Sequence, residues 1–508
     1  MSFLEDMKSE TTVGRTQNGA KTYTSTLNAN LDFFAQAGAM RNRLGDVRNM
    51  FAKAFDENPE VALRNLIHLR NIRLGGVGER SAYLEAFKLL IDGRDKNKRM
   101  INVLMDYMAY VGRWSDLMDV IEYGNMRSIH FVEIHGVEII AKQLESDLSN
   151  MKEKKPVSLL AKWIPNNSSP TGRKRRLSVK IANRLGFEGK AGLANYRKMI
   201  AMLRDYLNII EVRLASKEYD KIDLNQVPSK ALFKYRKALA NHMPDEYEEL
   251  LNKVESGEAT LNAKHMMPHE VIRAYGRSAY GSLDRSLEAT WKSMDDVLKG
   301  VKDNAIVVAD TSASMTWCGT STVQPWDVAE GLAIYTAERL EGAFKGHFIT
   351  FSTSPKLIQL PMSGTLQDKM QEYYQHSIVS DTNIQKVFDL ILTTAKRNNT
   401  PQDELPSKVI IISDMEFNRG VSKDVNHNEA KRKFNEAGYE PPSVVYWNVN
   451  SVQDNVPVRF DEHGTALVSG FSTNILTQVL GGEITSPEQM MMKVLGKPEY
   501  DFVREALA

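Results

Sequence analysis

The residues best equipped for chemistry are oxygen donors. Asp310, Ser312 and Ser314 form D-x-S-x-S within "AIVVADTSASMTWCG", directly after an apolar, largely β-branched run. Asp414 closes a second such run, "KVIIISDMEF", and Thr382 lies between them in "SDTN", at the start of a helical pattern. Three strand-to-helix loops thus supply hard oxygens that could converge above one sheet edge. A small dication such as Mg²⁺ takes about six oxygens, keeps some of its waters and seldom sits in an all-carboxylate cage. Ser312 and Ser314, two residues apart on a tight turn, could ligate directly while Asp310 and Asp414 hold ligand waters and supply charge. The open position would suit an incoming carboxylate. The alternative is that the serines cap the next helix and Asp310 closes a strand turn, with no ion bound.

The elements around these residues set their placement. From about Val301 onward, short β-rich runs ("AIVVAD", "HFITFST", "KLIQLP", "KVIIISD", "SVVYWNV") alternate with helical patterns ("DVAEGLAIYTAERLEG", "NIQKVFDLILTTAKRN", "SKDVNHNEAKRKFNEAG"). Strands this apolar predict a sheet covered on both faces, hence a doubly wound α/β domain, whose ligands bind beyond the carboxyl ends of the strands. Residues 23–298 instead read as successive helices with apolar positions at i, i+3, i+4 and i+7, as in "DVRNMFAKAFDENPEVALRNLIHLRNIR", and predict an all-α, HEAT-like stack. The expected division is a flexible 1–22, a helical domain over 23–298 and an α/β domain with C-terminal helices over 303–508. A phosphotransferase of the haloacid dehalogenase type would need a second carboxylate two residues after Asp310, where Ser312 stands.

Several classes are disfavoured by composition. No apolar run of the 508 residues approaches the roughly 20 needed to cross a membrane. The acid-bearing start, "MSFLEDMKSE", lacks a signal-peptide core, so a cytoplasmic location is expected. A single cysteine, Cys318, excludes an internal disulfide and a cysteine-based zinc cluster. With no His or Asn near it in sequence, it is expected to pack and not to act as a nucleophile. The glycines of "LGGVGER" follow a helical pattern without a G-K-[ST] ending, so they read as a tight turn with Glu79 and Arg80 capping or pairing. His68, His265 and His269 read as packing or capping residues.

The net charge of +1 conceals segregation: between Lys152 and Lys217 there are 16 Lys/Arg against four Asp/Glu. The run "GRKRRLSVKIANR" concentrates Arg173, Lys174, Arg175, Arg176, Lys180 and Arg184, and Trp163, Phe187 and Tyr196 lie nearby in sequence. Clustered cations gain affinity for phosphates by releasing counterions, and aromatic faces stack bases, so nucleic-acid contact is one expectation for this run. The competing reading is a solvated basic face with Phe187 and Tyr196 in the core.

The Asp-x-Ser-x-Ser, Thr and Asp set, in this order and on these elements, resembles the metal-ion-dependent adhesion site of the von Willebrand factor A fold over residues 303 to about 480. Asp381 departs from that pattern, which often has a small residue before the threonine. "RNIRLGGVGERSAYLEAF", "YVGRWSDLM" and "NAKHMMPHEVI", preceding such a domain, resemble the TROVE module of Ro-type ribonucleoproteins. "AKWIP", "LANYRKMIAMLRDYLNIIEVRLASKEYDKID", "VPSKALFKYRKAL" and "SDMEF" are closer to an uncharacterised TROVE-like and von Willebrand factor A family of plants, bacteria and phages, over about residues 25–505. The resemblance implies a ring-like helical scaffold and a noncatalytic ribonucleoprotein that binds single-stranded or structured noncoding RNA, with Mg²⁺ in the α/β domain. An adaptor that uses the metal to hold a partner protein's acidic residue is the alternative.

Overall fold

In the computed structural model the described residues are 7, 10–165, 172–276, 281–317, 319, 322–352, 354–377, 382–420 and 424–508, without the side chain of Arg173. Cys318 and Asp381 lie outside this set. The chain is mostly helical, with one six-stranded sheet in its C-terminal half. Two compact units divide it: Met1–Asn71, Gly75–Glu85 and Lys253–Tyr500 form one, and Ile72–Leu74, Ala86–Asn252 and Asp501–Ala508 form the other.

The first unit is built on the sheet. A small hairpin, β1 (Val13–Arg15) and β2 (Lys21–Tyr23), precedes β3 (Ala305–Asp310), β4 (His347–Phe351), β5 (Leu357–Gln359), β6 (Lys408–Ser413), β7 (Ser443–Asn448) and β8 (Thr465–Ser469). The sheet order is β5-β4-β3-β6-β7-β8, with only β5 antiparallel to its neighbour. Every residue of β3, β6 and β8 is buried, as near-continuous apolar strands demand when both faces are covered. The helices Pro325–Arg339, Ile384–Asn398 and Asn426–Glu436 connect the strands much as the periodicity predicts. The helix Leu366–His376 and strand β8 are additions to that reading. The helix is closed by a capping box in which the Thr365 side chain accepts from Asp368 N–H.

Compactness divides the chain differently from the linear boundary expected near residue 300. Residues 29–70 and 253–298 cluster with the sheet, because the strands need apolar cover on both faces. The Ala29–Gln36 helix packs on β8, where Ser469 Oγ donates to the Phe34 carbonyl at 3.0 Å. Helix Pro268–Tyr275 packs against helix Pro325–Arg339 at Gly331, where a Cβ would stand 2.8 Å from His269 N and 2.9 Å from Pro268 C. Gly331→Ala therefore forces the two backbones apart, and urea unfolding is expected to show a loss of about 2 kcal/mol. Trp291 Nε1 donates to Glu338 at 2.8 Å and fixes a further helix to the same layer.

A second stability prediction concerns Glu462, which precedes β8. The imidazole of His427, with Nε2 3.5 Å from Glu462 Oε1, is the largest influence and the Lys431 ammonium, bonded to the same oxygen at 2.5 Å, adds to it; together they outweigh burial and push the carboxyl down to about 2 from 4.5. A depressed carboxyl stabilises the fold above its unfolded pKa and stops doing so as pH falls toward the folded value. Glu462→Gln should cost about 1–2 kcal/mol at pH 7 after allowing for solvent screening. The difference from wild type should shrink below pH 4.5, as read by urea titrations across that range.

The second unit is all helical. Its helices include Lys98–Val111, Trp114–Met126, His130–Lys152, Gly172–Arg184 and Gly189–Tyr206, and several sequence neighbours pack on each other. Small residues allow the closest approach: a Cβ on Gly136 would fall 2.4 Å from Ile121 Cγ1, and one on Gly124 would fall 2.8 Å from Val132 Cβ. The C-terminal residues return to this unit, where Phe502 stacks on Tyr107 at 4.0 Å between ring centroids.

Candidate functional site

The order β4-β3-β6-β7 reverses direction of winding between β3 and β6, which opens a crevice beyond their carboxyl ends. Asp310 is the last residue of β3, and Asp414 directly follows β6. The two strands are paired in parallel through Ala309 and Ile412, so both carboxylates arrive at the same edge. Both are buried, at 0% and 2% exposure. Two anions in a dry site call for a compensating charge.

Each oxygen is individually placed. Ser413 Oγ donates to Asp310 Oδ2 at 2.5 Å, and Ser312 N–H donates to Asp310 Oδ1 at 2.9 Å. The hydroxyls of Ser312 and Ser314 meet at 2.9 Å. Asp414 Oδ1 accepts from Glu416 N–H at 3.1 Å, while Asp414 Oδ2 is buried without a hydrogen-bond partner. Burial, and next the charge of Asp414, push the Asp310 carboxyl up to about 7. Burial raises the Asp414 carboxyl too; the Ser314 hydroxyl, close but outside hydrogen-bonding geometry, is its largest opposing influence. Asp310, Ser312, Ser314 and Asp414 are therefore brought together at one edge of the sheet.

Thr382 is buried beside the same loop, with Oγ1 3.0 Å from the Glu416 carbonyl and 2.9 Å from Asn418 Oδ1. Its proton is committed there, which leaves its oxygen lone pairs for a cation. Among the described residues no three His, Cys, Asp or Glu gather as metal ligands, so a cation here would depend on the hydroxyls. The donor set fits such an ion: paired carboxylates, two adjoining hydroxyls and one unpartnered buried carboxylate oxygen. Mg²⁺ would be held by Asp310, Ser312, Ser314, Thr382 and Asp414 and would supply the missing positive charge.

Three contributors were not evident in the sequence. Ser413, Glu416 and Asn418 hold the ligand loop, although "SDMEF" and its neighbours carry no recognisable spacing for that task. The N-terminal hairpin holds it from the other side. Thr16 Oγ1 donates to the Phe417 carbonyl at 2.5 Å, Gln17 N–H to Glu416 Oε2 at 2.6 Å and Asn18 Nδ2 to the Glu416 carbonyl at 2.6 Å. The expectation of a flexible 1–22 gives way to an ordered hairpin, β1 paired with β2, whose turn residues Thr16, Gln17 and Asn18 find partners some 400 positions away. Met415, at φ 66°, takes the left-handed conformation that turns the loop under this strap.

The basic run is a helix, Gly172–Arg184. Lys174, Arg175 and Arg176 are exposed on it. Lys180 is bonded to Glu133, and Arg184 grips Glu138 through Nε at 2.6 Å and Nη2 at 2.8 Å. These last two expected phosphate ligands are therefore already engaged in attaching their helix to His130–Lys152. Arg173 cannot be placed, its side chain being outside the described set. Tyr196 is core, at 1% exposure, with Phe187 against it at 6.2 Å, whereas Trp163 keeps 38% of its surface open.

Of the remaining singled-out residues, the turn glycines, His68 and His269 take the turn and packing positions expected of them, and His265 does not pack. Gly75 and Gly78 take φ 82° and 77°, and Glu79 accepts from Ser81 N–H at 2.8 Å while pairing with Arg41 at 2.5 Å. His68 is buried against Phe34 and Tyr500, its imidazole pushed down to about 3 by burial. His269 packs on Phe471, and His265 is exposed.

Residues 304–504 match a domain of unknown function, DUF7788, which spans the sheet and its site. An uncharacterised protein of Acanthamoeba polyphaga mimivirus is 29% identical over 94% of this chain and 86% of its own length. A second domain of unknown function, DUF2828, matches residues 16–94 and 122–310, from the strap on the site loop to the end of β3. That match takes in more than half of the sequence, and the chain belongs to the DUF2828 family.

Proposed function

We propose that this protein is a noncatalytic RNA-binding scaffold, Ro-like in plan, with a TROVE-like helical part and a von Willebrand factor A-type α/β part that binds Mg²⁺. The observation that carries the cation is Asp414 Oδ2, a buried carboxylate oxygen with no partner beside a second buried carboxylate and two hydroxyls. The RNA reading rests on Lys174, Arg175 and Arg176, which stand exposed within one turn of helix. The role is read as noncatalytic because the hydroxyls of Ser312 and Ser314, 2.9 Å apart, are disposed as a pair of cation ligands.

The test is direct. Protein purified from its native cells is expected to carry RNA, to release it as salt rises and to gain thermal stability from Mg²⁺. Protein that carries no nucleic acid and binds none at low salt sinks the RNA half. A second reading, an adaptor whose metal captures a partner's carboxylate, is favoured by Trp317, 58% exposed three residues after Ser314. A pull-down that depends on Mg²⁺ and survives nuclease would select it.

A further inference from the structure

The helical unit contains a groove of about 710 Å³ formed by one face of helix Trp114–Met126, the segment around Trp163 and helix Gly172–Arg184. That volume lies in the range of small-molecule sites, roughly 300–1,000 Å³. Trp163, with 38% of its surface open, is the one aromatic among the described residues that line the groove, and Met126 and Pro165 add apolar surface beside it. Lys174 and Arg176 line it as well, and neither forms an ion pair with a described residue. The cations around them are committed: Lys162 to Glu211 at 2.9 Å, Lys180 to Glu133, Arg184 to Glu138, and Arg204 to the Ala161 and Ile164 carbonyls. The acidic side of the groove is engaged too. Asp119 and Glu122 interact with other groups of the protein, and Glu133 accepts from Lys180 and Asn125. What stays open is one indole face and two cations.

We infer that this groove holds a single nucleoside phosphate, with its base stacked on Trp163 and its phosphates at Lys174 and Arg176. A guanidinium fork and an ammonium group are apt partners for phosphate oxygens. Every base has a π-face, so stacking on the indole needs no particular base edge. The carboxylates, being engaged within the protein, add no hydrogen-bonding code, and the site therefore tolerates any base. One open aromatic face takes one base: Tyr196 is core and Phe187 lies against it, so neither extends the platform. A free nucleotide and one residue of an RNA strand present this same chemistry, and the inference stands apart from the RNA-binding reading for that reason.

The experiment uses the full chain in EDTA, so that the cation site plays no part, with ADP labelled on its ribose by N-methylanthraniloyl and binding read by fluorescence anisotropy at low salt. Saturable binding is expected, displaced by unlabelled ADP, GDP, CDP and UDP within about fivefold of one another. Adenosine and inorganic pyrophosphate, each supplying half of the ligand, should displace it at least about tenfold less well. Trp163→Ala should weaken labelled ADP by about tenfold, and Trp163→Phe should keep most of the binding, as a stacking contact requires. Lys174→Ala with Arg176→Ala should weaken ADP and leave adenosine unaffected. A fluorescein-labelled uridine nonamer, titrated in parallel, distinguishes the sources of the nucleotide. Nonamer binding that is lost in Trp163→Ala, without binding of ADP, assigns the groove to one residue of a strand. Nonamer binding indifferent to Trp163, without binding of ADP, overturns the inference and leaves RNA binding standing. ADP binding that is equal in wild type and Trp163→Ala overturns the inference as well. ADP binding without nonamer binding overturns the RNA reading alone, and binding of neither overturns both. Thermal melts of each variant separate lost recognition from lost folding.

Discussion

Asp414→Asn should abolish the stabilisation that Mg²⁺ gives the wild-type protein while leaving the metal-free protein no less stable. At a free concentration about a hundredfold above its dissociation constant, a ligand specific for the folded state adds about 2.7 kcal/mol, or roughly 5 °C in Tm for a unit of this size. Asp310 and Asp414 end adjacent parallel strands in a fully buried crevice, where their mutual repulsion already drives the Asp310 carboxyl upward after burial has done so. Removing one negative charge relieves that repulsion without a cation and removes the reason for binding one. Asp310→Ala should also lose the Mg²⁺ response, but with a lower metal-free Tm, because it orphans the Ser413 hydroxyl and Ser312 N–H. Thermal scans of the three proteins in EDTA and in Mg²⁺ separate these effects. A variant that keeps the full Mg²⁺ shift removes Asp310 or Asp414 from the ligand set.

The different origins of these contacts explain what the sequence could disclose. Strands β3, β6 and β7 are near-continuous runs of Val, Ile and aromatic residues, and a run of that texture allows little but a buried parallel strand. β8, "TALVS", has only three apolar residues between Gly464 and Gly470, too few to stand out from a loop. The carboxylates and serines were legible because they sit at fixed offsets from such strands. Glu416, Asn418 and the hairpin were not: "VGRTQNGAKTY" reads as a polar turn, and its partners at 416–418 are set by tertiary folding, which no local period encodes. The domain boundary shares that cause. Helices 29–70 and 268–292 have ordinary amphipathic patterns, and a pattern states that a helix has a buried face without stating what buries it.

The basic helix makes the same distinction measurable, because identical charges on it do different work. Lys174→Ala, Arg175→Ala and Arg176→Ala together remove three exposed cations that bear on little else. For single-stranded RNA each phosphate contact contributes about 0.7 to the slope of log affinity against log salt, so the triple variant should lose about 2 from that slope. Its affinity near 50 mM salt should fall by about a hundredfold or more, with the melting curve unchanged. Lys180→Ala and Arg184→Ala should behave in the opposite way. Their partners Glu133 and Glu138 lie on His130–Lys152, so their loss loosens the attachment of the helix and leaves the 7%-exposed Glu133 side chain without its cation. Stability should drop while the salt slope changes by less than about 1. Filter binding across a salt series, beside thermal melts, measures both quantities on the same preparations. A triple variant that retains the wild-type slope would show that the phosphate contacts lie elsewhere on the chain.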